Sequence, residues 1–151
     1  MDAFELLKKD HEKVSGIFEK LDATTERGVK TREELFTQLK QELDVHARIE
    51  EEIFYPVLKE AKETEELTLE AYEEHNVVKQ LLAELEQLPK DDETWGAKLT
   101  VLKENVEHHV EEEEGELFDG AREVLSREQI EQLGTRMEEA KREQKKALAA
   151  G

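Results

Sequence analysis

Two stretches of this chain decide its fold: HARIEEEIFYP at residues 46–56 and HVEEEEGELFD at residues 109–119. The second repeats the first 63 positions later, and in each a histidine is followed four residues on by a glutamate. Positions i and i+4 lie on the same face of an α-helix, so each stretch points an imidazole and a carboxylate the same way. Imidazole nitrogen and carboxylate oxygen are ligands of iron, manganese and zinc. The repeat therefore predicts a metal site with two matched halves.

The composition indicates a single acidic domain. The chain has 151 residues, with 40 Asp and Glu against 22 Lys and Arg, and a formal net charge of -18. Because phosphate groups are bound by basic surfaces, this charge argues against nucleic acid and anionic membrane as partners. The sequence contains no cysteine, which excludes disulfides, thiolate metal sites and thiol nucleophiles. It shows neither a signal peptide nor a membrane-spanning apolar run, so we expect a cytoplasmic protein.

Apolar residues at helical spacing predict five helices. Four are long and end near residues 22, 62, 88 and 121, and a shorter amphipathic helix starts at Ser126. Pro56 predicts a kink in the second helix. Long helices with short connections predict an all-α fold, an antiparallel up-down-up-down four-helix bundle with an extra C-terminal helix. We expect residues 1–122 to form the bundle and residues 123–151 to pack along its outside, within the same domain.

Each long helix has a gap in its apolar stripe, and a histidine fills each gap. Two of the gaps also hold a glutamate. The distances of these residues from the connecting loops place them at similar heights in the bundle. Buried without partners, such groups would each cost on the order of several kcal/mol, and bound cations would remove that cost. The residues of this predicted polar layer are His11, His46, Glu50, His75, His109 and Glu113.

A second pair, His108 and Glu112, has the same spacing and competes with His109 and Glu113. The phase of the apolar stripe and the 63-residue repeat both favour the latter pair, so we interpret His108 as a flanking residue or an outer partner of the site. The glutamates next to the layer are interpreted as mostly solvated: Glu51, Glu52, Glu111, Glu112 and Glu114.

The chain resembles the hemerythrin-like proteins, a group often called HHE cation-binding domains. The likeness spans about residues 4 to 121, and its motifs are Asp10-His11, His46 to Glu50 with Phe54-Tyr55-Pro56, Glu74-His75, and His109 to Glu113 with Leu117-Phe118. The resemblance implies a four-helix bundle around two iron ions, a di-iron centre bridged by carboxylates and an oxo or hydroxo group. Its implied ligands are His11, His46, Glu50, His75, His109 and Glu113. Zinc and manganese are alternative metals, because these donors do not select iron by themselves.

The chain departs from the oxygen carriers of that family. They place two histidines four residues apart on the third helix, whereas this chain has His75 alone; they also end with His and Asp five apart. One imidazole fewer leaves a coordination position for water, peroxide or another donor. Tyr72, one turn from His75, is a candidate donor, and Tyr55, which lies off the apolar stripe, is a weaker one. These departures favour chemistry on O2, peroxide or nitric oxide over reversible O2 carriage.

Several functions therefore compete. The leading hypothesis is a di-iron protein that binds or turns over a small oxidant, with catalase- or peroxidase-like activity as its enzymatic form and iron sensing or holding as its binding form. The alternative is an acidic helical bundle in which structural zinc or a metal-free polar layer supports an interaction module. Ferritin-like carboxylate proteins are set aside, because the Glu-x-x-His motif they need on two helices is absent here. We expect a monomer or a dimer.

Overall fold

The computed structural model describes residues 1–150, and all regular structure in this range is helical. Two π-helical turns, Glu50–Phe54 and Glu113–Leu117, each join two consecutive α-helices without an intervening loop. The predicted all-α class is confirmed. Within residues 1–150, no helix combines the length and the apolar character needed to cross a membrane. The α-helices are α1 (Ala3–Asp22), α2 (Val29–Ile49), α3 (Tyr55–Lys59), α4 (Glu65–Gln87), α5 (Glu93–Glu112), α6 (Phe118–Val124) and α7 (Arg127–Ala150).

Side-chain caps set several helix starts. The Asp2 carboxylate accepts a hydrogen bond from the backbone N–H of Glu5 at 2.9 Å and so caps the start of α1. The Ser126 backbone N–H donates to Gln129 Oε1 at 2.7 Å, and the Gln129 N–H donates to Ser126 Oγ at 3.1 Å, which closes a capping box before α7. For the second helix the sequence predicts a cap formed by Thr31 with Glu34, but α2 begins at Val29 and has no side-chain cap.

The helices pack in two antiparallel pairs. α1 packs on α2, and α4 packs on α5. In each pair, contacts that advance along one helix move backwards along the other, so the partners run in opposite directions. The contacts that show this are Lys13–Glu42 and Asp10–His46 in the first pair, and Glu84–Lys98 and Glu74–His109 in the second.

The core has two apolar clusters, and along each long helix the polar layer falls between them. One cluster contains Phe4, Phe54 and Phe118, and the other contains Phe18 and Trp95. The indole N–H of Trp95 donates to the backbone oxygen of Leu85 at 3.1 Å, so this buried ring has its polar atom satisfied. The polar layer is therefore enclosed by packed side chains on both sides.

Helix α7 belongs to this core more fully than the sequence predicts. It has 24 residues, so the expectation of a shorter helix is wrong. Ile130, Leu133 and Met137 are buried in the apolar cluster that contains Phe4. Gly134 lies directly against the N-terminal backbone, since a Cβ atom added there would be 2.4 Å from the Met1 oxygen. The apolar pattern of the sequence does not predict this contact, because Gly134, the residue that permits it, has no side chain and adds nothing to the apolar stripe.

Candidate metal centre

The structure brings all six residues of the predicted polar layer together. Four helices, α1, α2, α4 and α5, each contribute one histidine, and each π-helical turn contributes its first residue, a glutamate. The apolar residues that flank them along each helix direct them into the interior. All six side chains are buried: His11, His46, Glu50, His75, His109 and Glu113.

Each glutamate lies between a histidine of the first helix pair and a histidine of the second. Glu50 Oε1 is 3.1 Å from the Nε2 atoms of both His46 and His75. Glu113 makes equivalent contacts with its two oxygens: Oε1 is 3.1 Å from His11 Nε2, and Oε2 is 3.3 Å from His109 Nε2. Both carboxylates therefore span the two halves of the site.

The halves match in geometry. The rings of His11 and His46 have centroids 4.9 Å apart and planes at 64°, and those of His75 and His109 have centroids 4.9 Å apart and planes at 63°. This arrangement agrees with the 63-residue repeat in the sequence. The donor atoms form two groups, and within each group all atoms lie within 4.8 Å of one another. The first group is His11, His46, Glu50 and Glu113, and the second is Glu50, His75 and His109, so Glu50 belongs to both.

Several buried atoms of the site have no hydrogen-bond partner among the described residues. They are Nε2 of His11 and of His46, both oxygens of Glu50, and Oε1 of Glu113. Histidine and glutamate atoms of the site approach to 3.1 Å without forming hydrogen bonds. Buried polar atoms are rarely left this way in a protein interior. Nitrogen and oxygen donors that converge in pairs around a shared carboxylate fit two metal cations.

A carboxylate orients every histidine from its far side. An ionised carboxylate only accepts hydrogen bonds, so each Nδ1 carries the proton and each Nε2 faces the interior. Metal-binding histidines commonly have such partners. Glu51 and Glu114, predicted to be solvated, are two of them, because they follow the site glutamates on the π-helical turns. The contacts are His11–Glu114 at 2.6 Å, His46–Asp10 at 2.9 Å, His75–Glu51 at 2.8 Å and His109–Glu74 at 2.6 Å.

The surplus of carboxylates controls the electrostatics of the site. Burial disfavours a charged His109, but its contacts with Glu113 and Glu74 outweigh burial and raise its pKa to about 10. Burial likewise opposes protonation of His46, yet Glu50 and Asp10 hold its pKa well above the usual value. Burial would raise the pKa of Glu113, but its contacts, including those with histidines, keep that pKa well below the usual value. The site therefore attracts positive charge, whether a proton or a metal ion.

Tyr55 is the residue that sequence reasoning placed wrongly. Its hydroxyl donates to Glu113 Oε2 at 2.5 Å and lies 3.3 Å from the Nε2 atoms of His75 and His109. Burial and the charge of Glu113 raise its pKa well above the usual value, so without metal it is a phenol. Tyr72, the expected donor, instead donates to the backbone oxygen of Glu51 at 3.3 Å and packs edge-on against the Tyr55 ring.

His108 lies outside the centre, as the stripe phase indicates. Its side chain is exposed and contacts Glu112 at 3.0 Å. Together with Glu74, these residues form a separate, partly exposed group at the surface. Glu74 also contacts His109, so this group touches the centre only through an outer carboxylate.

A small cavity opens beside the histidines. Its volume is about 40 Å³, and all four buried imidazoles line it. This space is large enough to hold a molecule the size of water. The rest of its wall is mainly aliphatic, with Val14, Leu43, Val78, Leu82, Val106 and Val110.

Known proteins are similar to this chain in sequence and in structure. A relative from Nostoc sp., described as a DNA nickase, is 31% identical over 141 residues, which are 93% of this chain and 39% of that protein. The chain thus spans well under half the length of that relative. An uncharacterized protein of Mycobacterium tuberculosis H37Rv, Rv2633c, is 30% identical over 141 residues, or 91% of this chain and 83% of that protein.

A solved structure is similar to this chain over most of its length. The crystal structure of a hemerythrin HHE cation binding domain-containing protein from Mycobacterium kansasii, a homolog of Rv2633c, superposes with a TM-score of 0.86 and 28% identity. The match covers 97% of this chain and 89% of that one. The family model described as the hemerythrin HHE cation binding domain matches residues 2–121, which include every residue of the polar layer. The chain therefore belongs to the hemerythrin HHE cation-binding domain family.

Proposed function

We propose that this protein binds two iron ions at the polar layer and there handles a small oxidant: O2, peroxide or nitric oxide. The observation that carries the proposal is the set of buried donor atoms that converge without hydrogen-bond partners. A metal-free polar layer would leave these atoms uncompensated, at a cost of about 1–3 kcal/mol each. The proposed ligands are His11, His46, Glu50, His75, His109 and Glu113.

The charge around the imidazoles supports two divalent cations. Six carboxylates contact the four imidazoles, and among the described residues two lysines contact those carboxylates. With neutral imidazoles, this leaves four negative charges, which two divalent ions balance. Buried carboxylates are stable only when such charge is compensated.

The cavity and Tyr55 define what the site can do. Iron bound there supplies a change of oxidation state and open coordination positions. The small volume of the cavity and its mainly aliphatic wall favour a small, uncharged ligand. The Tyr55 hydroxyl holds a proton within reach of His75, His109 and Glu113, and it replaces Tyr72 as the proposed additional donor.

The proposal includes the architecture predicted for the chain. In this proposal residues 1–122 are the up-down-up-down four-helix bundle and residues 123–151 belong to the same domain, with Gly151 outside the described residues. Support comes from the two antiparallel helix pairs and from the burial of α7 residues in a common core with α1.

Elemental analysis of protein purified without added metal tests the proposal first. We expect two iron ions per chain. Loss of His46 and His109 removes one imidazole from each half, so His46→Ala/His109→Ala should bind almost no iron. His108→Ala is the matched control, because it removes the exposed neighbour of His109 and should retain both ions. Unchanged iron content in the double variant would refute the ligand assignment.

Spectroscopy then separates the forms of the function. After anaerobic reconstitution with ferrous iron, a stable and reversible band with O2 indicates binding. Gas evolution from peroxide, with bleaching and recovery of the spectrum, indicates catalase-like turnover. One zinc ion per chain in the purified protein, with no response to either oxidant, would replace the proposal with a structural zinc site.

A further inference from the structure

Helix α7 lies beyond the segment that matches the family model, yet it contacts the metal centre indirectly. Its Lys141 Nζ donates a hydrogen bond to Asp10 Oδ1. The other oxygen of Asp10 accepts from His46 Nδ1 at 2.9 Å. A continuous path of side-chain contacts therefore links the C-terminal helix to His46, whose Nε2 is one of the unpartnered site atoms.

Asp10 needs this lysine. Its side chain is 3% exposed, so it is almost completely removed from water. A buried carboxylate with one neutral imidazole as its partner would be poorly compensated, and removal of a charged partner from such a group is costly. Lys141 is partly exposed and keeps its ammonium at the edge of the core, where it neutralises Asp10. In return it holds Asp10 in the orientation that His46 requires.

The equivalent position in the other half has no such support. Glu74 stands to His109 as Asp10 stands to His46, and Glu74 is 26% exposed on its side chain. Its further neighbours include His108 and Glu112, and none of the described lysines or arginines pairs with it. Each half has one outer carboxylate that a lysine contacts, because Lys79 pairs with Glu51, the partner of His75. Glu51 is 23% exposed on its side chain whereas Asp10 is 3% exposed, so the contact made by α7 is the buried one of the two.

We infer that Lys141 is a positioning residue for the metal centre: it fixes Asp10, and thereby His46, and strengthens metal binding in the half of the site that contains His11 and His46. This inference rests on the proposed function, because it takes His46 as a ligand. It assigns to the C-terminal helix a role in holding one of the two metal positions. Outer partners of metal ligands typically change affinity by about 10- to 100-fold.

Anaerobic titration of the metal-free, full-length chain with Co²⁺ tests the inference, with a chelator competing and the visible spectrum as readout. Lys141→Met should weaken one of the two bound equivalents about tenfold and leave the other unchanged. Lys141→Arg keeps the charge and should restore binding to nearly the wild-type value. Asp10→Asn, one step closer to His46, should weaken the same equivalent at least as much.

Lys145→Met is the matched control. Lys145 lies one turn further along α7 and pairs with Glu42 at 3.0 Å, but Glu42 contacts no histidine among the described residues. The Lys145→Met variant should therefore bind both equivalents of Co²⁺ as the wild type does. The zinc-loaded protein gives a second readout, since the ring N–H of His46 should exchange with water faster in Lys141→Met than in Lys145→Met.

Three outcomes would overturn the inference. Lys141→Met could bind both equivalents normally, it could weaken both equally, or Lys145→Met could produce the same loss. The last two results would mean that α7 merely supports the fold. A wild-type chain that takes up no Co²⁺ would overturn the proposed function itself, and the inference with it.

Discussion

Tyr55 owes its place at the site to one extra residue in a helical turn. The backbone N–H of Tyr55 bonds to the oxygen of Glu50, five residues back, instead of to the residue four back. The wider turn brings position 55, rather than position 54, onto the face that Glu50 occupies. The same turn follows Glu113, where Phe118 takes the equivalent place without a hydroxyl. At this position the two halves of the centre therefore differ by one oxygen atom on an aromatic ring.

Tyr55→Phe should destabilise the metal-free protein by about 1–3 kcal/mol, because Glu113 Oε2 loses the hydrogen bond that Tyr55 donates within a buried site. The ring itself should still pack, since a phenylalanine occupies the equivalent position of the second half. Urea unfolding of the protein, with its metal removed by a chelator, measures this change in the free energy of unfolding. Tyr72→Phe is the comparison, because its hydroxyl bonds a backbone oxygen outside the centre. Equal losses in both variants would contradict a particular role for Tyr55.

Helical spacing predicts the six inner residues of the centre, but it does not predict Tyr55 or the outer carboxylates. A regular α-helix fixes the relation between His46 and Glu50 from spacing alone. The position of Tyr55 cannot be predicted in this way, because a π-helical turn changes the helical register. The sequence has no common marker for such a turn: Pro56 follows the first turn, but Asp119 occupies the equivalent position after the second. The outer carboxylates cannot be predicted in this way either, since their contacts cross between helices and depend on packing.

At the level of the helices, α7 shows how a glycine can determine docking. Its residue 134 touches the N-terminal backbone, which cannot yield as a flexible side chain would. Gly134→Ala should therefore cost about 1–3 kcal/mol through overpacking, in spite of the better helix propensity of alanine. Thermal or urea unfolding would show the loss, and metal titration would show whether the shift of α7 reaches His46.

Gly16→Ala in α1 supplies a control of opposite sign. A Cβ atom at that position meets nothing within 4 Å, so alanine should stabilise the helix by about 0.5–1 kcal/mol. If Gly134→Ala instead gained stability as Gly16→Ala does, the close contact between α7 and the N-terminus would be wrong.

Glu42 joins three helices through one carboxylate. It pairs with Lys13 of α1 at 2.8 Å and with Lys145 of α7 at 3.0 Å. Burial acts to raise the pKa of Glu42, but the two lysines outweigh burial and lower it from 4.5. A lowered folded-state pKa means that the carboxylate stabilises the fold above its unfolded pKa and that this contribution disappears as pH falls through the folded value.

Glu42→Gln should therefore lower the free energy of unfolding by about 0.5–1 kcal/mol near neutral pH. The difference from the wild type should shrink as pH falls below 4.5, where the wild-type carboxylate becomes protonated. Urea unfolding across this range measures it, with Glu34→Gln, an exposed position on the same helix, as the control. A difference that persists in acid would mean that shape, not charge, is what Glu42 contributes.

The whole molecule combines a formal net charge of -18 with a centre that attracts cations, and the two effects on stability can be separated. Surface repulsion is long-ranged and is screened by any salt, whereas the centre offers imidazole nitrogens that Mg²⁺ does not favour. NaCl and MgCl2 at equal ionic strength should therefore raise the melting temperature of the metal-free protein by similar amounts. Fe²⁺, added anaerobically at micromolar concentration, should raise it further.

The size of that further increase follows from binding to the folded state alone. At a free metal concentration 100 times the dissociation constant, one site adds about 2.7 kcal/mol. In His46→Ala/His109→Ala the increase with Fe²⁺ should disappear, while the response to NaCl should remain, since the surface is unchanged. Should Mg²⁺ stabilise the wild type as strongly as Fe²⁺ does, the stabilisation would come from the acidic surface, and the buried centre would not be what distinguishes one cation from another.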